Sequence, residues 1–159
     1  MAHSSIDSIL DASTIDAIRA CSTATCEILD PEASSLRPVP LTPARELTSE
    51  QLAGLKDLLL DPQSWFFAAK RCLPRKTARF RLQSDDCYVT VILDRPCVGW
   101  TVIGPRGRWG GFFDPVQDQI WAMVKGLFPE YASSSRRSMW RAGVIAELRA
   151  TTESGEGRG

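Results

Sequence analysis

Apolar residues recur at helical spacing just after residue 48, where the polar N-terminal part of the chain gives way to a compact pattern. Thr48 is followed three residues later by Gln51, which is the pattern of a capping box at a helix start. Asp61 and Pro62 then interrupt the pattern, because the residue before a proline is disfavoured in a helix. The spacing therefore predicts a helix over about 49–60, whose apolar stripe is Leu52, Ala53, Leu55, Leu58 and Leu59.

The spacing then changes to the period of a β-strand. In residues 77–83, Phe80 and Leu82 alternate with Arg79 and Arg81, as in a strand with one solvent-exposed face. Residues 87–94 are apolar at nearly every position, which predicts a central strand buried by its surroundings. Turn residues at 84–86, 95–96 and 104–107 separate these strands from two more, at 97–103 and 108–113. Four consecutive short strands predict an antiparallel meander.

Helical spacing returns after residue 113. Asp114 and Pro115 are typical of a helix start in which the aspartate caps the first turn, and the stripe that follows is Ile120, Trp121, Val124 and Leu127. Ser133 or Ser134 starts a last predicted helix, with Trp140, Val144, Ile145 and Leu148 on its stripe. A sheet with one apolar face needs helices as its cover, so we predict an α+β fold: a two-layer sandwich of a four-stranded antiparallel meander covered by N- and C-terminal helices.

The domain organisation follows from shifts in composition. Residues 1–30 are acidic and are predicted to form an N-terminal arm with short helices. Residues 31–47 are rich in proline and predict an extended linker. Residues 48–150 form the predicted compact domain, and residues 151–159 a disordered polar tail.

Overall composition excludes several classes of protein. In 159 residues, 19 basic side chains balance 19 acidic ones, so no global field draws the chain onto nucleic acid or an anionic membrane. No run approaches the roughly 20 apolar residues of a membrane helix, and no secretory signal is apparent at the start. We expect a soluble, cytoplasmic protein of bacterial type that does not bind membranes.

The cysteines raise the question of thiol chemistry. Five cysteines are an odd number, so free, mostly buried thiols are the default interpretation. His3 is the only histidine, which leaves no imidazole base for a cysteine nucleophile. The cysteine spacing fits no standard zinc site, and we predict no metal, no cofactor and no catalytic residue. In the predicted topology Cys72 and Cys97 reach the same end of the sheet, so whether this one pair is oxidised stays open.

The clearest charged feature is the segment 70–81, which has six cations and no anion. From it Arg75, Arg79 and Arg81, with Arg95 at the next turn, are candidate contacts for a phosphate or an acidic partner. The alternative is a solvated loop and edge strand kept soluble by charge.

A second candidate surface lies on the last two strands. Trp100 and Trp109 are predicted on adjacent strands, flanked by Arg106 and Arg108 at a glycine-rich turn, which is typical of a stacking or partner-binding surface. Core packing of the two rings is the alternative. Carboxylates at Asp85, Asp86 and Asp94 are interpreted as turn residues, because their spacing separates them along the strand.

Three functions remain open after these exclusions. The leading hypothesis is a non-catalytic protein–protein interaction module or small adaptor that docks a protein partner through the arginines and tryptophans named above. The alternative is a domain that binds nucleic acid or a phosphorylated ligand through residues 70–81. The third is a small enzyme built around Asp94, Arg95 and Cys97, and it requires these side chains to line one concave pocket.

Overall fold

The computed structural model describes residues 5–34 and 36–132. The predicted last helix and the polar tail lie outside the described residues. The helices are α1 (Ala12–Ala20), α2 (Ser49–Leu60), α3 (Gln117–Leu127) and α4 (Pro129–Ala132). The strands are β1 (Thr23–Ile28), β2 (Arg45–Glu46), β3 (Arg75–Gln83), β4 (Tyr88–Arg95), β5 (Gly99–Ile103) and β6 (Arg108–Phe112).

Local sequence signals set the ends of α2. The Thr48 side chain accepts a hydrogen bond from the Gln51 backbone N–H at 3.1 Å, and the Gln51 side chain accepts one from the Thr48 N–H at 2.8 Å. This reciprocal arrangement satisfies two of the donors that a helix start leaves without partners. The predicted capping box and the predicted helix are therefore confirmed.

The described strands form one antiparallel sheet of six, in the order β2-β1-β3-β4-β5-β6. The α+β class is confirmed, and β3 to β6 form the predicted meander. The predicted count of four strands is wrong, because β1 and β2 add to the edge of β3. In β1 the buried side chains Ala24, Cys26 and Ile28 alternate with Thr25 and Glu27. These small and polar residues gave a weak strand signal beside the isoleucines of α1, and two-residue β2 is too short to show any period.

The segments before residue 48 take part in this packing. Residues 1–30, predicted as an acidic arm, contribute both α1 and β1. In the proline-rich stretch Thr42 is buried, and its hydroxyl accepts a hydrogen bond from the Ile28 N–H at 3.0 Å. Leu29 and Pro40 form an isolated bridge that extends the pairing beyond β1. Pro40 therefore lies beside the sheet edge, where its missing N–H group is tolerated.

Helices α1, α2 and α3 share one hydrophobic core with one face of the sheet. On that face every side chain at the centre of β3 and β4 is fully buried, namely Ala78, Phe80, Leu82, Val89, Val91 and Leu93. The predicted central position of β4 is confirmed, since it lies between β3 and β5. By alternation the opposite face carries Arg79, Arg81, Thr90, Ile92 and Asp94. No helix within the described ranges is both long and apolar enough to cross a membrane.

Helix α1 approaches the turn between β5 and β6 so closely that only glycine fits there. A Cβ atom on Gly104 would lie 2.1 Å from Oγ1 of Thr14, which is itself buried. We expect Gly104→Ala to lower the free energy of unfolding by about 2 kcal/mol or more, because the backbone and the helix must separate. Gly110→Ala is the matched control, since its Cβ would meet no atom within 4 Å. Urea titrations measure both; equal midpoints for the two variants would contradict this packing.

Candidate functional site

Three of the six cations of the basic segment lie beside carboxylates from earlier in the chain. Arg75 forms an ion pair with Glu32 at 2.5 Å, and Arg79 forms one with Glu27 on the neighbouring strand β1. The Arg79 and Glu27 side chains are only 12% and 10% exposed, whereas Arg81 is 56% exposed and lies 3.9 Å from the same carboxylate. Glu27 and Glu32 thus interrupt the expected open positive surface, and their distance in sequence from β3 gave no sign of this pairing.

The remaining predicted contact residues do not share one surface. The Arg95 guanidinium lies 3.8 Å from the centre of the Trp121 ring, next to the core. Trp100 is 1% exposed and packs against Trp65 and Phe113, which is the core packing that the sequence offered as the alternative; the residue also lines the cleft described below. Trp109, half-buried, packs at the margin of the same core.

Arg106 and Arg108 are exposed at the β5–β6 turn and its following strand. Hydrogen bonds from Ser13 and Thr14 lower the pKa of Asp11, with a smaller contribution from Arg106, which places this arginine near the start of α1. Arg106 therefore faces the helix side of the turn, away from the paired arginines of β3.

A cleft of about 410 Å³ lies on the sheet face opposite the helices. By alternation Asp94, Gly99, Thr101, Gly110 and Phe112 belong to that face, and all five line the cleft. Its other lining residues include Phe67, Ala68, Lys70, Cys72 and Pro74 from the segment between α2 and β3, together with Cys97. Gly99 and Gly110 keep the floor of the cleft open, because a side chain at either position would occupy the space above the strands.

The segment 66–74 is attached to the sheet at two points. Phe66 exchanges two backbone hydrogen bonds with Phe112, at 2.8 and 2.9 Å. Lys70 donates hydrogen bonds to the Cys97 carbonyl at 2.8 Å and to both Asp114 carboxylate oxygens at 2.7 and 2.8 Å, and its ammonium lies 4.3 Å from the Phe112 ring centre. The predicted capping role of Asp114 is wrong, because α3 begins after Val116 and the carboxylate binds Lys70 instead.

Cys72 and Cys97 are joined by a disulfide bond, with an S–S distance of 2.12 Å. The default interpretation of free thiols is therefore wrong for this pair, and the pairing that the topology left open is present. It follows from the antiparallel order, because the chain entering β3 and the turn leaving β4 meet at one end of the sheet. Cys21 and Cys26 are buried free thiols, and burial raises the pKa of both.

Asp94 is the half-buried carboxyl group of the cleft. Burial raises the pKa of Asp94 to about 6, and the opposing attraction of Lys76 is smaller. Lys76 is its partner in the β3–β4 register. Sequence reasoning placed Asp94 correctly at the strand end but assigned it to a turn. The enzyme hypothesis required Asp94, Arg95 and Cys97 in one pocket; Asp94 and Cys97 line the cleft, whereas Arg95 lies over Trp121.

The sequence analysis also missed Lys70, Phe67 and Phe112 as parts of this site. Phe66 and Phe67 are large apolar residues that would be expected in a core, yet they are 43% and 45% exposed, and Phe67 lines the cleft. One signal in the sequence could have indicated this: in an extended segment, two adjacent aromatic side chains point to opposite sides, so they cannot both face a core.

In comparisons with known proteins, no family model, no curated protein and no solved structure matches this chain.

The buried ion pair between β1 and β3 gives a direct test of how the basic segment is used. We expect Arg79→Met to lower the free energy of unfolding by about 3 kcal/mol, because Glu27 is left buried without its partner. Arg81→Met is the control and should change it by less than about 1 kcal/mol, because its side chain is more than half exposed. Chemical denaturation measures the two, and similar losses would show that Glu27 is not buried as described.

Asp94 predicts a pH dependence of stability. A folded pKa near 6 lies above the ordinary value of 3.8, so its stabilising contribution is complete below pH 3.8 and is lost as the pH rises through 6. Asp94→Asn removes this loss. The variant should therefore become more stable than the wild type between pH 4 and 7.5, by about 1–2 kcal/mol at the upper end after allowance for solvent screening. Unfolding free energies measured across that range check it; a pH-independent difference would contradict the raised pKa.

Proposed function

We propose that the protein is a non-catalytic interaction module that binds a protein partner in the cleft beside the Cys72–Cys97 disulfide. The observation that supports this is the environment of Asp94. Within the described part of the chain, no side chain donates a hydrogen bond to its carboxylate, although it is half-buried. A carboxylate removed from water in this way gains more from an incoming donor than a fully hydrated one does.

The chemistry of the cleft favours a basic side chain from the partner. Guanidinium and ammonium groups supply charged donors to Asp94, and the rings of Phe67 and Phe112 can pack against the methylene stem that carries them. Lys70 does not take this place, because Asp114 and the Cys97 carbonyl already bind its ammonium. The volume of about 410 Å³ lies within the roughly 300–1,000 Å³ of small-ligand sites. We therefore assign the cleft to an arginine or lysine of a partner segment.

Exposed apolar residues around the cleft also support protein binding. Phe66, Phe67 and Leu73 are 43%, 45% and 81% exposed, and they lie on the segment that borders the cleft. Such clustering is typical of interaction sites, whereas single exposed apolar residues are common. The phosphate-binding alternative has weaker support, because Arg75 and Arg79 are already paired with carboxylates.

A short arginine peptide tests the assignment directly. We would titrate acetyl-Ala-Arg-Ala-amide into the protein at pH 7.5 and follow backbone amide shifts by NMR. Shifts are expected at the cleft glycines and should weaken several-fold when citrulline replaces arginine, because the charge is lost and the shape is kept. Binding should also weaken below pH 6, where Asp94 becomes protonated.

Asp94→Asn should abolish the preference for arginine over citrulline. Asp86→Asn is the matched control, because it removes the same charge at an exposed turn on the opposite end of β4. Since Asp94→Asn is expected to be more stable at this pH, unfolding cannot explain its loss of binding. Equal shifts with both peptides, or shifts only outside the cleft, would contradict the proposal.

A further inference from the structure

The two sulfur atoms of the disulfide differ in access. Cys72 is half-exposed and lies in the segment 66–74, between the exposed residues Arg71 and Leu73. Cys97 is 4% exposed and lies in the turn between β4 and β5. Both residues line the cleft, and Cys72 is the more exposed of the two, so it is the residue that an incoming nucleophile meets first. Redox-active disulfides require this asymmetry, since exchange depends on which sulfur is attacked and on its accessibility.

The segment that carries Cys72 is attached to the rest of the fold by contacts besides the disulfide. The Lys70 ammonium binds the Cys97 carbonyl and Asp114, and Phe66 pairs with Phe112. None of these contacts uses a sulfur atom, so we expect them to persist and to keep the two thiols close together when the S–S bond is opened. A cross-link whose only role is to hold this segment would be redundant beside them. An exchange site, in contrast, needs both redox forms to stay folded.

We propose that Cys72–Cys97 is a thiol–disulfide exchange site in which Cys72 Sγ accepts a thiolate from a dithiol that enters the cleft. The site goes beyond the proposed binding of a basic segment and does not depend on it. Arg71, the exposed neighbour of Cys72 in sequence, adds a positive charge to the segment that carries the attacked sulfur, and nearby positive charge favours the thiolate form. The dithiol class is named by the chemistry alone, and either a small dithiol or a protein dithiol satisfies it.

The reaction balances in two steps. A thiolate of the dithiol attacks Cys72 Sγ, a mixed disulfide forms, and Cys97 leaves as a thiolate that takes a proton from water. The second thiolate of the dithiol then attacks its own partner sulfur in the mixed disulfide, and Cys72 leaves and is protonated. The dithiol loses two electrons and two protons and becomes a disulfide, and the cysteine pair gains them.

Reduction of the native protein is the first test. The probe is dithiothreitol at pH 7.5, with accessible thiols alkylated, counted by mass spectrometry and compared with a denatured sample. We expect complete reduction of Cys72–Cys97 without denaturant, unchanged circular dichroism, and re-oxidation by oxidised glutathione. A bond that is reduced only after unfolding, reduction that unfolds the protein, or an oxidised sample with five alkylatable cysteines would overturn the proposal.

Variants that keep only one cysteine of the pair then identify the attacked sulfur. Both are made in a Cys87→Ser background, because Cys87 is the half-buried free thiol. In Cys97→Ser the remaining Cys72 should react with Ellman's reagent about tenfold or more faster than Cys97 does in Cys72→Ser. Cys21 and Cys26 serve as internal controls, because burial raises the pKa of both thiols. Equal rates, or a faster Cys97, would overturn the assignment, and the reduction assay on the wild type decides the proposal if a variant does not fold.

Discussion

The antiparallel register of β3, β4 and β5 is the constraint on which the described site depends. It pairs Lys76 with Asp94 and Leu93 with Trp100, so the chain entering β3 and the turn leaving β4 meet at one end of the sheet. A slip of one residue in β4 would turn Asp94 toward the helices and expose Leu93. The large penalty for burying a charge in that core, together with the loss of the fully buried leucine, opposes such a slip.

Lys70 links this register to the segment that borders the cleft. Its ammonium bridges Asp114, at the start of the turn before α3, and the carbonyl of Cys97, in the turn after β4. Because the group is only 23% exposed, its bonds are screened less than those of a surface pair, and they connect three separate parts of the chain. The cation thereby organises the cleft and is not available as a free binding group within it.

The parts of the fold that depend on local sequence could be predicted, and those that depend on distant partners could not. The cap of α2 needs only Thr48 and Gln51, and consecutive apolar residues are enough to indicate β4. In contrast, the pairing of Arg79 with Glu27 joins residues that are 52 positions apart, and no periodicity reveals it. At Asp114 the local sequence predicted a helix cap, but the carboxylate binds the ammonium of Lys70, which is distant in sequence. The disulfide could not be predicted outright, because the predicted topology brings Cys72 and Cys97 to one end of the sheet but does not give the distance between their sulfur atoms.

The charge distribution explains how a strongly basic segment can belong to a protein with no net charge. Glu27 and Glu32 are placed beside β3 by the extra strand β1, so Arg79 and Arg75 join these two parts of the chain and the positive surface is interrupted. Asp94 is left on the same sheet face, in the cleft, without a side-chain donor among the residues that the structure describes. Its ionisation costs the folded state stability, as the raised pKa records. Since a packed neutral residue at this position would avoid that cost, the charge of Asp94 does not stabilise the fold, and this is the basis of the binding role that we propose for the cleft.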